Sequence, residues 1–448
     1  MYREISKLIL YGSMPEDEIL MKLSGIFRAF TEKTKDDATL IAEIYAQTKR
    51  ILQVATDYAF DENLWHNYLT FLLITNENPF SITCEKMGAR DGASVNTFVK
   101  NDFEVFRKLF DFDFSTIEEV LGIQCFSILQ HYTAIGKPEL MYNKNVSEKV
   151  RALSKKLEQA KDTEAFFGAV TGFYRDYGVG MFGLNKAFRI RTEGDGTVIY
   201  PINNMEVVTL DDLVGYELQK KKLIDNTEAF CKGLPANNVL LFGDSGTGKS
   251  TSIKAIVNQY YDQGLRMIEI YKYQFRYLSE VIAQIKNRNY RFIIYMDDLS
   301  FEEDETEYKF LKAVIEGGVE TRPENILIYA TSNRRHLINE TWKDRRDVEM
   351  NQGIHHSDTM EEKLSLVHRF GLTIGYTKPT KKEFNHIVTE LVQRAGLNLS
   401  EEELLAEANK FEMMYGGVSG RTAQQFVNYV LSGQSNLTAT ESDNPLYS

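Results

Sequence analysis

Eight consecutive residues, Gly243-Asp244-Ser245-Gly246-Thr247-Gly248-Lys249-Ser250, bring together three glycines, a lysine and a closing serine. Glycines at this spacing let the backbone curl so that successive N–H groups point inward at a phosphate, and a helix that follows adds the positive end of its dipole. A lysine there reaches the β- and γ-phosphates of a nucleoside triphosphate, and the serine hydroxyl suits a magnesium ion. The context is the one this chemistry needs. Asn238-Val239-Leu240-Leu241-Phe242 is an apolar run suited to a buried strand, and Thr251 through Tyr260 reads as a helix. Gly243 through Thr251 therefore form the candidate phosphate-binding set, with Ser250 also a candidate metal ligand.

Further chemistry sits at the ends of two other apolar runs. Phe292-Ile293-Ile294-Tyr295-Met296 leads into Asp297-Asp298, which places two carboxylates at the end of a predicted strand. Asp297 suits the magnesium shell, since a hard cation bridging phosphates takes carboxylate oxygen, and Asp298 suits the polarising of an attacking water. Glu302 and Glu303 follow closely enough to compete for that second role. Asn325-Ile326-Leu327-Ile328-Tyr329-Ala330 ends in Thr331-Ser332-Asn333, so the Asn333 amide is a candidate to hydrogen-bond a γ-phosphate and the lytic water. Arg421 opens a predicted helix, where a cation opposes the macrodipole, so a nearby phosphate explains it better than local stability does. Arg369 ends a helix expected from near Glu361, and Arg334, Arg335, Arg345 and Arg346 are its rivals for reaching a neighbour's nucleotide.

The elements that would position these groups follow from periodicity. Leu40, Ile44, Ile51, Ala55 and Tyr58 keep a helical period, as do Val99, Phe103, Phe106 and Phe110, and Phe166, Val170, Phe173 and Tyr177. An all-helical N-terminal domain is expected over residues 1–183, with its stripes facing inward. Gly178, Gly180 and Gly183 mark its end, and two short runs around Gly194-Asp195-Gly196 predict a hairpin or linker over 184–208. Strands are predicted at Val239–Phe242, Leu265–Tyr271, Phe292–Met296 and Asn325–Ala330 with helices between them. This pattern implies an α/β core over 209–376 with a parallel sheet covered by helices on both faces. Thr380-Lys381-Lys382-Glu383 and Ser400-Glu401-Glu402-Glu403 read as capping boxes, and a third helix follows Gly420. They predict a helical lid over 377–431 and a polar tail over 432–448.

Composition narrows the class. Of 448 residues, 43% are hydrophobic and 26% charged, which suits a globular chain, and the net charge of -12 opposes a generally basic, nucleic-acid-coating surface. The basic groups Lys286, Arg288 and Arg291, and Arg345 with Arg346, keep local nucleic-acid contact open without favouring it. Cys84, Cys125 and Cys231 lie too far apart for a metal knuckle or a disulfide framework, and His355-His356 have no accompanying ligands. The first residues carry no apolar signal core and no run has membrane-spanning length, so a cytoplasmic protein with no membrane partner is expected.

Asp211-Asp212-Leu213-Val214-Gly215-Tyr216, the phosphate loop, Asp297-Asp298, Asn333, Arg369 and Arg421 together resemble the AAA+ ATPase module. More narrowly, Asp297-Asp298-Leu299-Ser300-Phe301, Tyr329-Ala330-Thr331-Ser332-Asn333-Arg334-Arg335-His336-Leu337 and Ser419-Gly420-Arg421-Thr422-Ala423 look like a bacterial AAA+ family catalogued as a domain of unknown function. The resemblance runs from about Phe188 to Leu431. It implies a P-loop core with a helical lid, Mg-ATP as ligand, ATP hydrolysis and a homo-oligomer. It also implies that Val214 and Gly215 line the adenine pocket, that Asn333 is sensor 1 and Arg421 sensor 2, and that Arg369 is a finger offered to the next subunit. The chain departs from the family pattern at Asp298, where many members have glutamate, and at His368, where the finger motif has aspartate. The aromatics Tyr271, Tyr273, Phe275 and Tyr277 do not form the usual pore-loop motif, which ranks a threading unfoldase low. The expected function is an ATPase that performs conformational work on an unidentified macromolecular client, recognised by the N-terminal domain. An ATP-gated, loader-like assembly switch with little turnover is the alternative.

Overall fold

The computed structural model describes residues 1–135, 143–194, 196–203, 205–301, 305–316, 323–334, 337, 366–397 and 399–433. They divide into two compact units, Met1–Asn185 with Pro201–Met205, and Lys186–Tyr200 with the chain from Glu206 onward.

Up to Asn185, the regular elements among the described residues of the first unit are helices, apart from an isolated bridge between Glu62 and Tyr132. The predicted stripes lie in the helices Asp37–Tyr58, Ser94–Phe110 and Thr163–Tyr177, and they build its core. One member departs from expectation. Tyr177, in the last turn before Gly178, is exposed and takes the Lys149 ammonium over its ring at 4.3 Å. The N-terminal segment is tied down by a single carboxylate. Asp102, fully buried, accepts hydrogen bonds from the backbone N–H groups of Ile9 (2.9 Å), Leu10 (2.7 Å) and Tyr11 (3.0 Å). Replacing Asp102 by alanine leaves three backbone donors, that of Tyr11 buried and those of Ile9 and Leu10 partly so, without their acceptor. The expected cost is at least about 3 kcal/mol, read as a lower melting temperature and as new protease sensitivity in the first fifteen or so residues.

The second unit is built on seven strands: β1 (Ala187–Glu193), β2 (Gly196–Pro201), β3 (Val239–Gly243), β4 (Leu265–Glu269), β5 (Arg291–Met296), β6 (Ile326–Ser332) and β7 (Leu372–Tyr376). Their order across the sheet is β2-β1-β4-β5-β6-β3-β7. β4, β5, β6, β3 and β7 run parallel, and β1 joins the same sheet parallel to β4, with Ala187 opposite Met267. The hairpin expected as a linker is thus an edge of the sheet. β5 and β6 are buried almost end to end, as strands covered on both faces must be. β7, which sequence periodicity did not single out, lies beside β3 with Gly243 opposite Tyr376. This is the expected α/β architecture around a phosphate loop, with helices including Glu217–Cys231, Lys249–Tyr260 and Leu278–Ile285 between its strands.

Three helices, Lys381–Arg394, Glu401–Tyr415 and Gly420–Leu431, follow β7 and share one apolar cluster around Phe384, Val388 and Phe426. The Thr380 capping box forms as predicted, whereas Ser400 caps nothing with its side chain. Val214 is buried in this lid cluster, and Arg394 Nη1 donates to the Asp211 carbonyl at 2.6 Å. The segment before the phosphate loop is therefore held by the lid.

Candidate nucleotide site

β3 ends where the backbone must turn sharply. Gly243 has φ 132, and a Cβ there would stand 1.9 Å from the Tyr376 carbonyl oxygen, so only glycine fits between the two strands. The next N–H, of Asp244, donates to that same oxygen at 3.0 Å, and the Asp244 carboxylate accepts from the Lys378 N–H at 2.9 Å. The loop then curls through Gly246 (φ 77) and Gly248 (φ 90) into a helix that begins at Lys249, two residues earlier than predicted. At Gly248 a Cβ would meet the Leu213 side chain at 2.3 Å, so the loop's inner surface is closed on that side.

Lys249 is buried and its three protons have three acceptors: the carbonyls of Gly243 (2.9 Å) and Asp244 (2.6 Å), and Asn333 Oδ1 (3.0 Å). Burial pulls its pKa below the ordinary lysine value; the carboxylates of Asp244, Asp298 and Asp297 pull the other way, and Arg421 reinforces the lowering. Asn333 uses both ends of its amide. Its oxygen faces the ammonium, and its Nδ2 donates to Asp298 Oδ1 at 2.7 Å, the arrangement that sets donor against acceptor on both sides.

β5 delivers Asp297 to the floor of the cavity. Its Oδ1 accepts from Ser250 Oγ at 2.8 Å and from Thr331 Oγ1 at 2.5 Å. Burial would raise its pKa, but hydrogen bonding, led by Thr331, outweighs this and holds the carboxyl below the usual aspartate range. Tyr295, two residues earlier, is buried, and its hydroxyl has no hydrogen-bond partner among the described residues. Burial first, and then the Asp297 charge, push the pKa of that phenol up. Asp298 turns away with φ 50, a left-handed conformation that a non-glycine residue rarely takes.

These groups face one cavity of about 640 Å³, within the size range of small-molecule sites. Ser245 through Thr251, Asp297, Asp298 and Asn333 form one side; Val214 and Tyr216 form a second; Ile387, Leu391, Arg421 and Gln424 close it from the lid. The backbone N–H of Arg421 donates to the Gly246 carbonyl at 3.2 Å, so the lid helix rests directly on the phosphate loop.

Most predicted site residues converge here. Gly215 lies between two lining residues, with φ 83, without lining the cavity itself. Arg369 is not brought to it. It is exposed in the turn before β7, at the end of the sheet opposite the phosphate loop. Arg334 follows Asn333 and its N–H donates to Ser332 Oγ at 3.1 Å. Glu302, Glu303, Arg335, Arg345, Arg346, His355 and His356 lie outside the described residues. Sequence inspection missed Thr331, Tyr216, Gln424 and the lid pair Ile387 and Leu391. The lid pair has the i, i+4 spacing of one helix face, a signal that could have found it. Thr331 had no such signal.

Comparison with known proteins adds a family. A profile described as "Protein of unknown function (DUF815)" matches residues 184–434, more than half of the chain. No functionally curated protein matches it significantly. Among solved structures, the Holliday junction branch migration motor RuvB of Thermotoga maritima matches at 16% identity and a TM-score of 0.34, over 50% of this chain and 64% of that one. Two point variants of the same protein match at 17% identity with the same coverage and TM-score. The chain thus spans less than two thirds of the RuvB structures. With the profile running from the edge strand through the phosphate loop to the last lid helix, the chain belongs to the DUF815 family.

Proposed function

We propose that this cavity binds Mg-ATP and that the protein hydrolyses it. The observation that carries the reading is a pair of hydrogen-bonded chains, Lys249 to Asn333 to Asp298 and Ser250 to Asp297, gathered at the carboxyl ends of β3, β5 and β6. The oxygen set fits a hard cation: Ser250 and Asp297 would hold it, and the buried Tyr295 hydroxyl beside them offers a partner to its hydration shell. When bound, magnesium neutralises charge developing between the β- and γ-phosphates. Lys249 exchanges Asn333 for the phosphates. Asp298 accepts the proton of the water that attacks the γ-phosphorus, the bond to the β-phosphate oxygen breaks, and ADP leaves. Asn333 orients that water, and Arg421 brings positive charge from the lid.

The same reading extends to assembly and client. Arg369, exposed and away from its own cavity, serves a neighbouring subunit in a homo-oligomer. Lid movement transmits hydrolysis to a macromolecular client held by the helical region over 1–183, and the protein works in the cytoplasm. The described helices include none long and apolar enough to cross a membrane.

The test is magnesium-dependent phosphate release from ATP by wild type and Asp298→Asn, with ATP binding followed by calorimetry and mass by light scattering. The variant is expected to bind ATP within a few-fold of wild type and to turn it over at least about 100-fold more slowly. An alternative has its own support: Asp298 is short and already engaged by Asn333. Tight ATP binding by an assembled wild type with negligible turnover would replace the hydrolytic machine with an ATP-gated assembly switch.

A further inference from the structure

Among the described residues, one hydroxyl joins the two carboxylate residues at the end of β5. Register makes this unavoidable. Met296 pairs with Ala330 across β5 and β6, so the next residues, Asp297 and Thr331, stand side by side just beyond the last paired step. Thr331 is 2% exposed, and its Oγ1 donates to Asp297 Oδ1 at 2.5 Å while accepting from the backbone N–H of Asp298 at 2.9 Å. A hydroxyl has one proton to give and lone pairs to receive, so it can do both at once. The Asp298 N–H it receives belongs to the residue with φ 50. The next residue is fastened to the same strand: Leu299 N–H donates to the Thr331 carbonyl at 2.7 Å, and Ser332 Oγ donates to the Leu299 carbonyl at 2.7 Å.

We propose that Thr331 is a positioning residue that sets the metal-side carboxylate of Asp297 and the water-side carboxylate of Asp298 with a single hydroxyl. Asp298 left to itself would relax toward negative φ, which would swing its carboxylate away from Asn333. The bond to Thr331 opposes that relaxation. The other bond fixes the rotation of Asp297 so that the oxygen not engaged by Thr331 and Ser250 remains available. The part of this claim that concerns the metal rests on the Mg-ATP reading; the part that concerns the Asp298 backbone does not.

The experiment compares wild type, Thr331→Val, which keeps the shape and removes the hydroxyl, and Thr331→Ser, which keeps the hydroxyl. Thr331→Ala stands in should valine prevent folding. The first measurement is amide hydrogen exchange over residues 296–301 in nucleotide-free protein. Valine or alanine is expected to speed exchange there about five-fold, on the usual net worth of one hydrogen bond, with serine near wild type. The second is Mn²⁺ affinity in the presence of a non-hydrolysable ATP analogue. It should fall about ten-fold in Thr331→Val, while metal-free binding of the analogue changes by less than about two-fold. Unchanged exchange in the valine or alanine variant, or serine behaving like valine, overturns the proposal, since then methyl packing and not the hydroxyl holds the turn. Unchanged Mn²⁺ affinity overturns its metal half. Should wild type bind no nucleotide, the Mg-ATP reading falls, and exchange still decides whether Thr331 holds Asp298.

Discussion

Lys249→Ala is expected to reduce magnesium-dependent ATP hydrolysis by at least about 100-fold, the loss that removal of one preorganised charge-stabilising donor typically brings. It should also weaken ATP binding by at least about ten-fold. Two effects combine. In the proposed reading the ammonium meets the β- and γ-phosphates, and it is also what the loop closes upon: the Gly243 and Asp244 carbonyls and Asn333 Oδ1 all accept from it. Without it those oxygens lose their donor in a buried place, and Asp244, Asp297 and Asp298 lose the cation that the three of them share. Asn333, released at one end, no longer holds Asp298 in register with the loop. Phosphate release and calorimetric titration with ATP check both statements. Hydrolysis within about three-fold of wild type would place the phosphates elsewhere and sink the assignment of this cavity.

Gly243→Ala should be the most damaging single methyl in the core of the second unit. The added carbon would lie 1.9 Å from the oxygen and 2.7 Å from the carbon of the Tyr376 carbonyl, and the clashing atoms are backbone that cannot rotate away. Moreover, φ 132 is foreign to an L side chain. β3 and β7 must part at this end, which breaks the Asp244 N–H bond to Tyr376 and loosens the Asp244 contact with Lys378. The expected cost is at least about 4 kcal/mol, a fall in melting temperature of roughly 10 °C or more, together with loss of ATP binding. Gly25→Ala is the control. Gly25 is an exposed helical glycine with nothing within 4 Å of the added carbon, so the same chemical change there should stabilise by about 0.5–1 kcal/mol. Similar melting temperatures for the two variants would contradict the packing around Gly243.

The local chemistry was legible in the sequence because it is carried by neighbouring residues. Eight consecutive residues specify a phosphate loop, since glycine flexibility, a lysine and a hydroxyl act over one turn of chain. Asp297 was legible because an apolar run ending in a carboxylate marks the end of a buried strand, and Arg421 because a cation at a helix start calls for an anion. The helical stripes of the first unit were legible by period; Tyr177 stood out of its stripe because the last turn of a helix can leave the core and find a lysine instead.

What only the tertiary structure decided involves partners far apart in sequence. No local pattern places Thr331 against Asp297 or couples Asn333 to both Lys249 and Asp298; those contacts come from the register of β3, β5 and β6, set by the packing of the whole sheet. β1 could be recognised as half of a hairpin, but its pairing with β4 spans about eighty residues, so its place in the sheet was hidden. β7 gives a weak signal by itself, with Gly375 within it, and becomes a strand because β3 supplies the partner edge. Whether Ser400 caps its helix depended in the same way on surroundings that a four-residue pattern does not contain. Residue types and spacing thus determined which groups are candidates for chemistry, and long-range strand pairing determined which of those groups meet, because hydrogen bonds form between neighbours in space.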